Sequence, residues 1–214
     1  MENQFEDNDF YIKFLVLGDS NVGKTSILHQ YTEKRFNHNF KSTVGIDFKE
    51  KIIKYESPLS GKSRRIKIQL WDTAGSERYR SLTRAFYRDA VGFLLVFDLT
   101  KELSFLNVQY WINELKLNSY CDDPDIILVG NKLDLVENRV IDFKRAQDLV
   151  ENNECQCMDY IETSALNGEN INAALEQLLN RVMLRIENNV GAHTFPVQYI
   201  KAKHENENTV NNCC

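Results

Sequence analysis

A segment near the start of the chain, Gly18-Asp19-Ser20-Asn21-Val22-Gly23-Lys24-Thr25, has the spacing G-x-x-x-x-G-K-[ST] in full. This spacing suits the cradling of phosphates. The glycines let backbone N–H groups approach the anion, and a helix starting here would add the positive end of its dipole. Lys24 is placed to reach the β- and γ-phosphates, and Thr25 to offer a hydroxyl to Mg²⁺. Asp19 to Ser26 are thus the expected phosphate-lining residues. Taken alone, the motif is compatible with a strand–helix turn that holds no ligand. It also does not separate ATP from GTP, or a kinase from a switch.

Further segments extend the chemistry. Asn131-Lys132-Leu133-Asp134 follows an apolar run. An aspartate there can accept from the ring N–H and the exocyclic amine of guanine; adenine lacks those donors and would leave the carboxylate unsatisfied. Thr163-Ser164-Ala165 follows the last apolar run and can present a backbone N–H to the guanine carbonyl oxygen. Asp72-Thr73-Ala74-Gly75 follows the run ending at Trp71. Asp72 is the expected metal-holding carboxylate, and Gly75 allows the backbone to approach a γ-phosphate. Thr43, in a polar loop, is the candidate that closes onto Mg²⁺ and the γ-phosphate. Each would pass for a plain loop residue without the phosphate motif.

The elements that must position these residues are legible as alternating apolar runs and helical periodicities. Phe10–Leu17, Phe93–Phe97 and Ile126–Val129 read as buried strands, and Ile46–Tyr55 and Ile66–Leu70 as half-buried ones. Turn residues from Ser57 to Gly61 join the latter two into a hairpin. Lys24–Tyr31 reads as a helix. Ser104 is the expected cap of another helix with the stripe Phe105, Val108, Ile112 and Leu115, and Asp142 of a third running to about Val150. Tyr160–Glu162 is a short last strand, and Ile171 to Ile186 traces one face of a closing helix. The alternation predicts an α/β fold: a doubly wound, mostly parallel six-stranded sheet with one antiparallel edge strand and about five helices. In such sheets ligands bind beyond the carboxyl ends of the strands, where all these motifs fall.

Composition narrows the class. The chain has 214 residues and a net charge of −5, with no basic run, so nucleic acid is not an expected partner. No apolar stretch reaches the length of a membrane helix. Residues 1–9 are acidic and polar, unlike a signal peptide, and are expected to be a flexible N-terminus in the cytosol. Residues 10–188 form the expected domain, and 189–214, rich in Asn and Glu toward the end, a disordered tail. Five cysteines argue against a disulfide framework. Cys155 and Cys157 read as ordinary helix-to-strand residues. Cys213-Cys214, adjacent at the end, stand out as a signal.

In order and spacing, these motifs resemble the Ras superfamily from about Phe10 to Ile186. The stretches Val44-Gly45-Ile46-Asp47-Phe48, Trp71 to Gly75, Arg80-Ser81-Leu82, Tyr87-Arg88 and Leu95-Val96-Phe97-Asp98 resemble the Rab pattern. Thr83 to Ala90, Ser104 to Val108 and Tyr120 to Ile126 are similar to the Rab twenty-seven branch, which serves exocytosis of secretory granules and lysosome-related organelles. The resemblance implies a P-loop GTPase fold and a switch between GTP and GDP, with Mg²⁺ held by Thr25, Thr43 and Asp72. It implies Phe36 against the guanine and an effector-reading surface of Ile46, Phe48, Trp71 and Phe86. Implied partners are an exchange factor, a TBC-type activating protein, a GDP-dissociation inhibitor, an escort protein and effectors, around a monomer. Two geranylgeranyl groups on Cys213 and Cys214 would anchor it to the cytoplasmic face of secretory or late endosomal and lysosome-related vesicles, with a cytosolic pool.

The family pattern is broken at informative places. Ser76 stands where the family usually has the glutamine that, by the resemblance, orients the attacking water in phosphoryl transfer. Among the catalytic candidates, Lys24, Thr43, Gly75 and Ser76, the serine is about 2–3 Å too short, which predicts slow intrinsic hydrolysis. Leu166 replaces a frequent lysine whose stem covers the base, and Asn21 replaces a common Gly or Ala. Two other classes compete: a GTP-binding scaffold with little or no hydrolysis, supported by Ser76, and an ATP-dependent kinase sharing only the phosphate loop, opposed by Asn131–Asp134.

Overall fold

The structure is a computed structural model. It describes residues 10–38, 43, 45–73, 87, 89–119, 124–152 and 158–188. The segment with Gly75, Ser76 and Phe86, the pair Cys155 and Cys157, and the terminal Cys213 and Cys214 lie outside the described residues.

Six strands form one sheet: β1 (Phe10–Leu17), β2 (Ile46–Glu56), β3 (Ser63–Thr73), β4 (Gly92–Asp98), β5 (Asp125–Asn131) and β6 (Met158–Thr163). Their spatial order is β2-β3-β1-β4-β5-β6. All neighbours are parallel except β2 with β3, which pair antiparallel from Ile46 opposite Thr73 to Glu56 opposite Ser63. The described helices are α1 (Lys24–Glu33), α2 (Glu102–Leu106), α3 (Val108–Asn118), α4 (Phe143–Glu151) and α5 (Ile171–Asn188), with a 3₁₀ turn at Val136–Asn138.

The continuous apolar runs of the central strands follow from burial on both faces. Along β1, Phe10, Ile12, Phe14 and Val16 join a core layer under α1 and α5, while Leu15 and Leu17 face the layer under α2, α3 and α4. In β4, Leu94 and Val96 take the first side, and Phe93, Leu95 and Phe97 the second. Because side chains alternate with a period of two, one apolar strand feeds two cores, and helices must cover both faces. The doubly wound expectation holds.

Two local expectations need revision. β3 begins at Ser63 and ends at Thr73 rather than spanning Ile66–Leu70, because ladder bonds to β2 hold polar residues such as Arg64 and Arg65 in the strand. Ser104 does not cap a helix. Lys101, in extended conformation, occupies the cap position, and Ser104 lies inside α2 with its hydroxyl donating to the Lys101 carbonyl at 2.8 Å and accepting from the Asp98 N–H at 3.0 Å. The expected stripe is buried, but it is split between α2 and α3 at Asn107. Asp142 does cap α4, accepting from the Arg145 N–H at 2.7 Å.

Candidate functional site

The phosphate loop leaves β1 beneath the sheet's carboxyl edge and enters α1 at Lys24. Two glycines are needed for its path. At Gly18 (φ +133°) a Cβ would lie 2.0 Å from the Val96 carbonyl oxygen; at Gly23 (φ +101°) it would lie 2.2 Å from the Asn131 side-chain nitrogen. Asn21 takes a left-handed φ of +67°, which asparagine tolerates better than most residues. Ser20 is exposed, and Ser26 lines the adjoining cleft.

Lys24 is buried, and its ammonium donates to the Gly18 and Asp19 carbonyls, each at 2.8 Å. Burial pushes its pKa down to about 8, against the pull of Asp72 and Asp19. An ammonium withdrawn from water, hydrogen-bonded to carbonyl dipoles and only partly offset by the Asp72 and Asp19 charges, favours an arriving anion.

Beside it, three oxygens converge. Thr25 Oγ1 donates to Asp72 Oδ2 at 2.5 Å, Thr43 Oγ1 does so at 3.2 Å, and the two hydroxyls are 2.8 Å apart. Asp72 is 3% exposed, and its other oxygen, Oδ1, has no hydrogen-bond partner. Burial raises the Asp72 pKa, while the Thr25 hydrogen bond and the Lys24 charge act the other way. A hard oxygen set with one carboxylate and an unpartnered carboxylate oxygen fits Mg²⁺, which takes few protein ligands and completes its shell with water and phosphate.

The base-side motif follows β5. The Asn131 side chain is a hub: it donates to the Val22 carbonyl at 2.8 Å and accepts from the Ala165 N–H at 3.1 Å and the Thr163 hydroxyl at 3.3 Å. These bonds tie the phosphate loop to the loop after β6. Ser164 donates to Asp134 Oδ1 at 2.5 Å, orienting that carboxylate. A cleft of about 540 Å³ runs between them, bordered by Phe36, Lys132, Asp134, Ala165 and Leu166 among others; its size falls in the range of small-molecule sites. Phe36 is partly buried against the core layer under α1, and Leu166 is half exposed.

Sequence reasoning overlooked several contributors. Asp98 is fully buried at the end of β4, accepts from the Thr100 N–H and hydroxyl at 2.9 and 2.7 Å, and pairs with Lys132 at 2.6 Å. Its signal was a carboxylate closing an otherwise apolar strand. Lys101 and Leu135 also line the cleft. Asp19, expected among the phosphate-lining residues of the loop, directs its carboxylate to Asn107 and Trp111, from which it accepts hydrogen bonds.

Away from the cleft, Phe48 and Trp71 stack across β2 and β3 with centroids 5.4 Å apart, Phe48 being half exposed, and Lys13 lies over the Trp71 ring. Ile46 begins the same strand as Phe48.

With this geometry in place, comparison with known proteins is decisive about ancestry. A model of the Ras family matches residues 13–184. Ras-related protein Rab-27A of Homo sapiens is 52% identical over 200 residues, covering 92% of this chain and 89% of the relative. Ras-related protein Rab-27A of Rattus norvegicus is 51% identical with the same coverage. Ras-related protein Rab-27B of Bos taurus is 51% identical over 185 residues, covering 85% of this chain and 84% of the relative. The chain belongs to the Ras family, as a Rab-type small GTPase similar to Rab-27A and Rab-27B.

Proposed function

We propose that this protein is a switch in vesicle trafficking and exocytosis that binds GTP and GDP, hydrolyses GTP slowly and recruits effectors when GTP is bound. The observation that carries the reading is one cleft lined at one end by the phosphate-loop residues Asn21, Gly23 and Ser26, next in the chain to the buried Lys24, and at the other by an oriented Asp134. The first end suits a polyphosphate; the second suits the donor edge of guanine.

Lys24 and the loop N–H groups hold the phosphates, and the start of α1 adds its dipole. Thr25, Thr43 and Asp72 would hold Mg²⁺, which when bound neutralises phosphate charge. Asn131 keeps the two ends in register by joining Val22 to Ala165, while Phe36 and the Leu166 side chain are placed to cover the flat faces of a base. Positioning and electrostatics are the main demands of phosphoryl transfer, and Ser76 meets the water-orienting part poorly. Gly75 and Ser76 follow Asp72 by three and four residues in the sequence. Phe48 and Trp71, with Ile46 and Phe86, would form the surface that effectors read, an exposed aromatic pair being typical of binding hot spots. Cys213 and Cys214 would carry two geranylgeranyl groups, enough for stable membrane anchoring, with delivery and retrieval by escort protein and GDP-dissociation inhibitor.

The test is nucleotide content and uptake. Denatured, freshly purified protein is expected to release GDP or GTP in near-stoichiometric amount, and the nucleotide-stripped form to take up GDP in Mg²⁺ buffer without competition from ATP. Failure of both release and uptake would remove the reading. A second reading, a GTP-binding scaffold with almost no turnover, is favoured by Ser76 alone. It predicts binding without measurable phosphate release even in a single turnover.

A further inference from the structure

Asp19 occupies the second position of the phosphate loop, yet its carboxylate is engaged by another element. Oδ1 accepts from the Trp111 indole N–H at 2.9 Å and Oδ2 from the Asn107 side-chain amide at 2.7 Å. The same residue's carbonyl accepts from Lys24 Nζ at 2.8 Å. Asn107 is the junction between α2 and α3, and Trp111 lies four residues further on, so both donors share one helical face. The Trp111 N–H of the backbone bonds to the Asn107 carbonyl at 3.1 Å, and the indole rests partly buried against the core layer under α3, with Tyr110 edge-on at 5.6 Å. The donors are therefore held rigidly before they meet the carboxylate, and hydrogen bonds to a charged acceptor are the stronger kind.

The other end of the same short helix reaches the base side. Ser104 of α2 accepts from the Asp98 N–H at 3.0 Å, and Asp98 pairs with Lys132 at 2.6 Å. The α2–α3 junction thus touches the supports of both ends of the cleft without lining the cleft itself.

We infer that Asn107 and Trp111 are positioning residues for the phosphate loop: through Asp19 they hold the carbonyl against which the Lys24 ammonium is placed, and so set how long a guanosine diphosphate is retained. This inference rests on the nucleotide-binding reading above. Neither residue touches the ligand; both act through Asp19.

The experiment uses the full chain loaded with fluorescently labelled GDP in Mg²⁺ buffer, displaced by excess unlabelled GDP. Trp111→Phe keeps the ring against the core and removes one donor; dissociation is expected to quicken about tenfold. Asn107→Asp sets two carboxylates together and should quicken it further. The exchanged pair, Asp19→Asn with Asn107→Asp, restores a donor facing a carboxylate and leaves a carbonyl oxygen for Trp111; it should return the rate to within about threefold of the original. The ³¹P resonance of the bound β-phosphate should move in Trp111→Phe and Asn107→Asp and return in the exchanged pair, which a general loss of packing would not produce. Dissociation unchanged in both single variants, or an exchanged pair no slower than Asn107→Asp alone, overturns the inference. An unsubstituted chain that takes up no GDP defeats the nucleotide-binding reading itself, a result distinct from unsubstituted protein that binds GDP while the variants match it.

Discussion

Gly23→Ala should cost this protein most of its nucleotide affinity, and the structure sets the scale. The added Cβ would sit 2.2 Å from the Asn131 side-chain nitrogen, at a backbone φ of +101° that side chains rarely adopt. Left-handed strain for a residue with a Cβ costs about 1–2 kcal/mol. The displaced Asn131 amide then loses its bonds to Val22, Ala165 and Thr163, worth about 0.5–1.5 kcal/mol each. The sum, about 2.5–6.5 kcal/mol, corresponds to roughly two to five decades in GDP dissociation constant if fully transmitted to the site. Gly61→Ala is the matched comparison. Gly61 also has positive φ, +65°, but nothing lies within 4 Å of its added Cβ, and it sits in the β2–β3 turn. That variant should lose about 1–2 kcal/mol of stability and keep its GDP affinity within about twofold. The assay is titration calorimetry with GDP in Mg²⁺ buffer, with thermal unfolding in parallel. A folded Gly23→Ala protein that binds GDP within about fivefold of the original, or a Gly61→Ala protein weakened equally, would refute the claim that the Asn131 link transmits the damage.

Other outcomes follow from the same geometry. Asp72→Asn keeps the shape of the side chain but removes its charge beside Thr25 and Thr43; GDP dissociation should become nearly insensitive to EDTA, whereas the original should speed up about tenfold or more on chelation. Ser76→Gln should raise single-turnover hydrolysis about tenfold or more by restoring an amide long enough to orient water; equal rates would show that Ser76 is not what limits turnover. Cys213→Ser with Cys214→Ser should shift cell-expressed protein from the membrane to the soluble fraction, and intact mass should show two prenyl groups lost. Phe48→Ala should leave thermal unfolding within about 1 kcal/mol of the original, since Phe48 is half exposed, while weakening effector capture from GTP-loaded protein; a large stability loss would instead place Phe48 in the core.

The sequence by itself was enough for the sheet, the two-faced core and the ends of the cleft. Runs such as Phe93–Phe97 and Ile126–Val129 are long enough and apolar enough to require burial on both sides, and the glycine spacing of the phosphate loop is a local requirement written in consecutive residues. Helix α5 was legible because its stripe, Ile171 to Ile186, repeats over several turns. Only the tertiary structure decided what the polar side chains at those loops do. Asn131 was expected at the nucleotide and acts as the joint between Val22 and Ala165. Asp19 was expected to line the phosphates as part of the loop, and its side chain proves to bond Asn107 and Trp111. Ser104 was expected as a cap and supports Asp98 from inside α2. Hydrogen-bond partners of this kind lie 88 and 109 residues apart in the chain, and no periodicity carries them. Apolar patterning records which face is buried, because burial depends on each residue's own type. Polar pairing depends on which two segments the folded sheet brings within about 3 Å, and that exists only after the chain has closed on itself.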